Sequence, residues 1–189
     1  MTSGQTTNAF ICLRVPSALV DALVDLQGQC EDRVDPQQAE HIHITLGFLH
    51  GADEPRLAEA RELVEGGAWT APAIRLSGEV RHGSWNLQND PAYHYDKNLV
   101  QKGEQVRLGV EQSPELARVH EDITQGLEIV EDGFWPHVTL GLAREDFPVA
   151  DVQTLNLPVV SGPAPSVDVQ REVSTAEFTM LIRKDLPTP

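Results

Sequence analysis

Basic side chains are scarce in this sequence of 189 residues: 14 Lys and Arg stand against 29 Asp and Glu, for a formal charge of −15. Such a surface repels long nucleic acid unless basic groups gather locally, so no long duplex partner is expected and a small anion is easier to accommodate. Cysteine is nearly absent too. Cys12 and Cys30 lack CxxC spacing and read as free core residues as readily as a disulfide, so they say little about redox compartment. No apolar run approaches the about 20 residues of a membrane span, and the opening MTSGQTTNAF lacks a basic region followed by a long apolar one. We therefore expect a soluble, cytoplasmic protein with no membrane partner. Neither a P-loop pattern nor a dinucleotide fingerprint occurs, so ATP-dependent ligation has no support and no cofactor is expected. Apolar residues make up 40%, enough for a core, and the length fits a monomer with one domain, residues 1–189, composed of two lobes.

Periodicity gives an alternating layout. NAFICLRV, from Asn8, reads as a buried strand, and PSALVDALVDLQGQ as a helix with Ser17 as its cap, Leu19, Leu23 and Leu26 on one face and Gly28 as its stop. A polar connection, Cys30 to Ala39, leads into the strand HIHITLGF. The next helix has Pro55 at its first helical position, Leu57, Arg61 and Val64 on one face, and Gly66 and Gly67 at its end. Strands are expected at Ile74 to Val80 and Val106 to Val110, with a long loop from Arg81 to Lys102 between them. Ser113 and Pro114 open a third helix with Leu116, Val119, His120 and Ile123 on one side, and it leads into WPHVTLGL. Further strands are expected around Leu157 to Val160, Ser166 to Val173 and Ala176 to Ile182.

HITLGF at His43 and HVTLGL at His137 are near copies 94 residues apart. Residues two apart in a strand share a face, so His43 lies with Thr45 and His137 with Thr139, while Ile44, Leu46 and Phe48, like Val138, Leu140 and Leu142, take the other face. Burying a strand requires the apolar positions but not the matched histidines and threonines. The chemistry of the repeat is that of phosphodiester hydrolysis. Histidine titrates near pH 6.5, so one copy can take a proton from water while the other, protonated, gives one to the departing oxygen. Threonine hydroxyls donate to nonbridging phosphate oxygens. Gly47 and Gly141 are expected to leave space beside the ligand or to allow a close backbone approach.

The repeated HxT strands resemble the signature of the two-histidine (2H) phosphoesterase superfamily, particularly the bacterial and archaeal RNA 2′,3′-cyclic phosphodiesterases formerly described as 2′-5′ RNA ligases. NAFICLRVPSALVDAL resembles that group's opening strand and helix, and GFWPHVTLGLARED the surroundings of its second motif. The resemblance implies a bilobal, pseudo-symmetric α+β fold, with two antiparallel sheets flanking a central cleft and helices outside. It also implies metal-independent hydrolysis of a 2′,3′-cyclic phosphate to a 2′-phosphate, with His43 and His137 catalytic and Thr45 and Thr139 binding phosphate. His43 is then the acid at the 3′ oxygen and His137 the base for water; the symmetry of the repeat equally permits the reverse.

Further candidate substrate contacts are His41, on the same strand face as His43, Phe48, Arg144, and the aromatics Trp85, Tyr93 and Tyr95. Those three lie in a block, Arg75 to Arg107, whose five basic and four acidic residues make it nearly neutral in an acidic chain, and they can stack on a base. Arg144 reads equally as a surface ion pair. A metal site from His41, His43 and His50 lacks a local carboxylate cluster and leaves the repeated threonines unexplained. The expected partner is a small cyclic nucleotide or a short RNA end carrying a cyclic phosphate. Degradation of 3′,5′-cyclic or cyclic oligonucleotide signals, and non-catalytic binding of phosphorylated nucleotides, are the alternatives.

Overall fold

Alternating apolar strands and three amphipathic helices set the architecture of the computed structural model, which describes residues 6–83, 105–131, 133–144, 155–174 and 177–188. The elements are β1 (Thr7–Arg14), α1 (Ser17–Gln29), β2 (Val34–Pro36), a 3₁₀ turn (Ala39–His41), β3 (His43–Ala52), α2 (Glu54–Gly66), β4 (Ala73–Gly83), β5 (Gln105–Val110), α3 (Pro114–Gly126), β6 (His137–Ala143), β7 (Ser161–Pro163), β8 (Ser166–Ser174) and β9 (Glu177–Asp185). They form two antiparallel sheets, ordered β3-β1-β8-β9 and β2-β6-β5-β4-β7, in a bilobal α+β arrangement with helices outside. Of the loop expected from Arg81 to Lys102, Arg81 to Gly83 instead continue strand β4 through ladder pairing with β5, and the rest, with Trp85, Tyr93 and Tyr95, lies outside the described residues.

Helices α2 and α3 start as their sequences dictate. The Asp53 carboxylate accepts from the Arg56 amide at 3.0 Å and the Ser113 hydroxyl from the Leu116 amide at 3.1 Å, each with proline in the first turn. Helix α1 departs from expectation. Ser17 is its first helical residue, Pro16 precedes it without a side-chain cap, and the helix runs through Gly28 to Gln29. Two short strands also differ: β2 lies within the polar connection, and β7 begins just after the apolar run around Leu157, because ladder pairing with β6 and β4 recruits residues with little strand propensity. Both cysteines are free and buried.

The helices lace the two sheets together. Helix α1, which follows β1 of the first sheet, packs on β6 and β7 of the second, whereas α3, which follows β5 of the second, packs on β3 of the first. Ile44 and Val138 are fully buried in one continuous core that includes Leu19, Leu23, Leu116 and Ile123.

A bulge in each histidine strand corrects the simple alternation. On β3, Thr45 pairs with Cys12 and Gly47 with Ile11, so Leu46 is the extra residue; on β6, Thr139 pairs with Arg107 and Gly141 with Val106, so Leu140 is. Beyond the bulge the faces exchange. Phe48 pairs with Phe10 and so lies on the face of His43, and Leu142 moves to the face of Thr139. The two glycines turn away from that face: a Cβ on Gly47 would lie 2.7 Å from Cδ1 of Ile129, and one on Gly141 would collide with the carbonyl oxygen of Asp35. Packing, and not room for a ligand, requires glycine there. The Gln27 amide reaches 2.7 Å to the carbonyl of the bulged Leu140, which also accepts from the Gln37 amide at 3.0 Å.

Two glycine substitutions should therefore have opposite signs. Gly28 in α1 has open space around a built Cβ, so Gly28→Ala is expected to stabilise by about 0.5–1 kcal/mol. Gly141→Ala must displace backbone and is expected to destabilise by about 1–3 kcal/mol. Urea denaturation of both variants measures this; a neutral Gly141→Ala would show that the bulge tolerates a side chain.

Candidate active site

The bulged strands β3 and β6 touch, although they belong to different sheets. Along each, exposure repeats: His43 and Thr45 are half-buried with Ile44 and Leu46 buried, and His137 and Thr139 are half-buried with Val138 and Leu140 buried. The two imidazoles are close enough that charge on His137 disfavours charge on His43.

Their local settings match. Nδ1 of His43 lies 2.7 Å from the carbonyl of His41, and Nδ1 of His137 lies 2.9 Å from the carbonyl of Trp135, in both cases the residue two before. A carbonyl can only accept, so each Nδ1 carries the hydrogen and each Nε2 is left as the basic nitrogen. Each ring also has an aromatic neighbour: Phe10 stacks on His43 at 5.0 Å and 18°, Trp135 on His137 at 5.0 Å and 19°. Gly109, the Cα partner of His137, makes the second stack feasible, since a Cβ there would lie 3.2 Å from Trp135 and 2.5 Å from Oγ of Ser77. The far end of Trp135 is fixed as well. Its indole N–H donates to Glu79 at 2.8 Å, and the Arg81 guanidinium lies 4.1 Å from its ring centroid while pairing with the same carboxylate.

Burial pushes both histidines toward the neutral form. For His43, dehydration and then the Arg14 charge lower the pKa to about 4; for His137 the shift is also downward, from dehydration first, with Arg107 and Arg81 adding to it against the hydrogen bond to Trp135. The side-chain charges acting on both rings are thus cationic, in a chain of net charge −15. Arg14 is the Cα partner of His43, and Arg107 that of Thr139. Arg14 lies 4.0 Å from the fully buried Asp168, which Arg183 engages through two hydrogen bonds of 3.0 and 2.7 Å.

The remaining candidates separate. Phe48 stacks on Phe10 at 6.3 Å and so joins the His43 cluster, and His41 meets the edge of Phe178 at 4.8 Å beside it. Arg144 is exposed and paired with Asp35 at 2.8 Å. Residues not singled out in the sequence also border the site: Phe10, Arg14, Gly109, Trp135 and Phe178, with Arg81 and Arg107 read only as part of a charge block. The available signal was an arginine among alternating apolar residues in FICLRV and QVRLGV, on the opposite strand face from the leucines. Among the described residues no three His, Cys, Asp or Glu side chains are grouped to hold a metal ion.

No family model matches the chain, and no curated protein matches it by sequence. Solved structures do. E. coli LigT in complex with 3′-AMP superposes with a TM-score of 0.66, at 17% identity, over 96% of this chain and 98% of LigT. A Thermus thermophilus protein gives 0.68 at 20% identity over 96% and 98% of the two chains, and a phosphoesterase gives 0.68 at 15% over 96% and 99%. The likeness is one of fold, shared with LigT and these neighbours. LigT has also been crystallised with NADP+, ATP and phosphate. In this chain the two HxT strands come from different sheets and pack against each other.

The dehydration of His43 has a measurable consequence for stability. Its pKa falls from an ordinary 6.5 to about 4 on folding, so between those values the unfolded chain binds more protons. Stability should therefore decline as pH drops from about 6.5 to about 4, by at most about 3 kcal/mol for this group. Denaturation of the protein and of His43→Gln at pH 7 and pH 4 isolates that share: the variant should lose less stability, and equal losses would show that His43 protonates normally in the fold.

Proposed function

We propose that the chain is a phosphodiesterase that hydrolyses a 2′,3′-cyclic phosphate to a 2′-phosphate by paired-histidine acid–base catalysis, without a metal. The observation that carries this reading is the mirrored tethering of His43 and His137, each held through Nδ1 by the carbonyl two residues before it, with Nε2 left unpartnered among the described residues. A group that transfers protons needs a fixed ring and one free nitrogen. Thr45 and Thr139, half-buried beside them, supply hydroxyl donors to nonbridging oxygens. The complexes of LigT with 3′-AMP and phosphate support a small nucleotide or RNA end as the ligand class.

In the reaction, one imidazole takes a proton from water as its oxygen attacks phosphorus. The bond to the 3′ oxygen breaks, and the other imidazole gives that oxygen a proton. Both rings favour the neutral state, so the acid acquires its proton when the anionic phosphate arrives and offsets Arg14, Arg81 and Arg107. The motif resemblance assigns the acid to His43. The stronger depression of proton affinity at His43 favours the reverse, with His137 as the acid. Degradation of 3′,5′-cyclic or cyclic oligonucleotide substrates requires the same phosphate chemistry and differs in what surrounds the sugar.

Single-turnover assays in chelator against 2′,3′-cyclic nucleotides, 3′,5′-cyclic nucleotides, cyclic oligonucleotides and short RNA ends test this reading. His43→Ala and His137→Ala should each lower the chemical step by about 10²-fold or more, and Thr45→Val or Thr139→Val by less. A substrate with an activated leaving group should rescue only the variant that lacks the acid, which decides between the two assignments. Near-wild-type chemistry in both histidine variants, or turnover restored only by a divalent ion, would contradict the mechanism.

A further inference from the structure

We infer that Arg107 is the phosphate-binding cation of this cleft, its guanidinium taking nonbridging oxygens beside Thr139. The inference rests on the phosphodiesterase reading of the site and adds the residue that supplies its positive charge.

Arg107 sits on β5 as the Cα partner of Thr139 on one side and of Arg81 on the other, so Thr139, Arg107 and Arg81 form one row across the sheet. Directly paired residues of an antiparallel ladder share a face about 5 Å apart, which places the arginine stem next to the threonine hydroxyl. Two arginines opposed across a ladder repel unless something compensates them. Arg81 is compensated by Glu79 at 2.6 Å and by the Trp135 ring. Among the described residues Arg107 has no such partner: it alone of the described arginines has no described carboxylate within 4.0 Å, although the chain carries more than twice as many acidic as basic residues.

Among the described residues its one side-chain hydrogen bond runs from Nε to the neutral Oε1 of Gln105, at 3.0 Å. That bond fixes the direction of the fork and leaves both terminal nitrogens without a described acceptor, the arrangement suited to a bidentate oxyanion. Arg107 is half-buried, and dehydration lowers its pKa. An uncompensated charge held there costs free energy that a bound anion returns. The pseudo-symmetric position in the other sheet, Cys12 opposite Thr45, is a buried thiol, so only one of the two threonines has an arginine opposite it.

Titration calorimetry with inorganic phosphate on the full chain tests this, using Arg107→Met, Arg107→Lys and, as a surface control, Arg118→Met. Arg118 is exposed on α3 and pairs with Asp122. Phosphate affinity should fall about tenfold or more in Arg107→Met, less in Arg107→Lys, which keeps the charge but loses the fork, and not at all in Arg118→Met. If the methionine variant does not fold, the lysine variant decides: an affinity three- to tenfold below that of the unmodified protein supports the assignment. Unchanged phosphate affinity in the folded Arg107 variants overturns it, as does failure of the unmodified protein to bind phosphate. Turnover of a 2′,3′-cyclic nucleotide by the unmodified protein is measured alongside. Arg107-dependent phosphate binding without turnover would uphold the anion site and reject the hydrolytic reading.

Discussion

The dehydration of two imidazoles between cationic neighbours is the constraint on which the rest of the site depends. Histidine on an exposed strand would titrate near its ordinary value and rotate freely. Here each ring is pinned through Nδ1 to a backbone carbonyl and covered by an aromatic face, and each feels arginine rather than carboxylate. The consequence is a pair of rings that favour the neutral form with positive charge around them. In the proposed reaction such a site would bind an anion first and acquire its acid proton second.

The scaffold makes this arrangement rigid in a specific way. Each histidine strand carries its bulge at the leucine after threonine, and the following glycine turns into packed structure, against Ile129 in one copy and against the Asp35 carbonyl in the other. The exchange of α1 and α3 between the sheets ties the orientation of one strand to that of the other. The halves nonetheless differ in what stands opposite the motif residues. Arg14 stands opposite His43, while Gly109 occupies the equivalent place opposite His137 and admits Trp135; Arg107 stands opposite Thr139, while buried Cys12 occupies the equivalent place opposite Thr45. The repeat is symmetric in its histidines and threonines and asymmetric in its charges and rings.

Much of this was legible in the chain. The matched HxT positions, the proline-containing helix starts at Asp53 and Ser113, and the apolar faces of the three helices follow from local periodicity and capping chemistry. The bulges were not legible, because a period of two assumes an unbroken ladder and the extra residue appears only when the partner strand is known. That is why Phe48 was assigned to the wrong face and why Gly47 and Gly141 were read as room for ligand. Arg14 and Arg107 escaped for a related reason: a lone arginine in an apolar strand gains meaning only from what stands opposite it. Short β2 and β7 owe their conformation to pairing, which no local propensity records.

The central claim is that phosphate itself creates the acid. Nitrogen NMR of the two imidazoles, with the ring nitrogens labelled and the protein near pH 6.5, reads their protonation directly, with and without saturating inorganic phosphate. The account predicts that His43 and His137 are both neutral, with hydrogen on Nδ1, in the free protein, and that one of them gains a second proton on Nε2 when phosphate binds. A protonated imidazole in the free protein, or two rings that stay neutral in the phosphate complex, would contradict it.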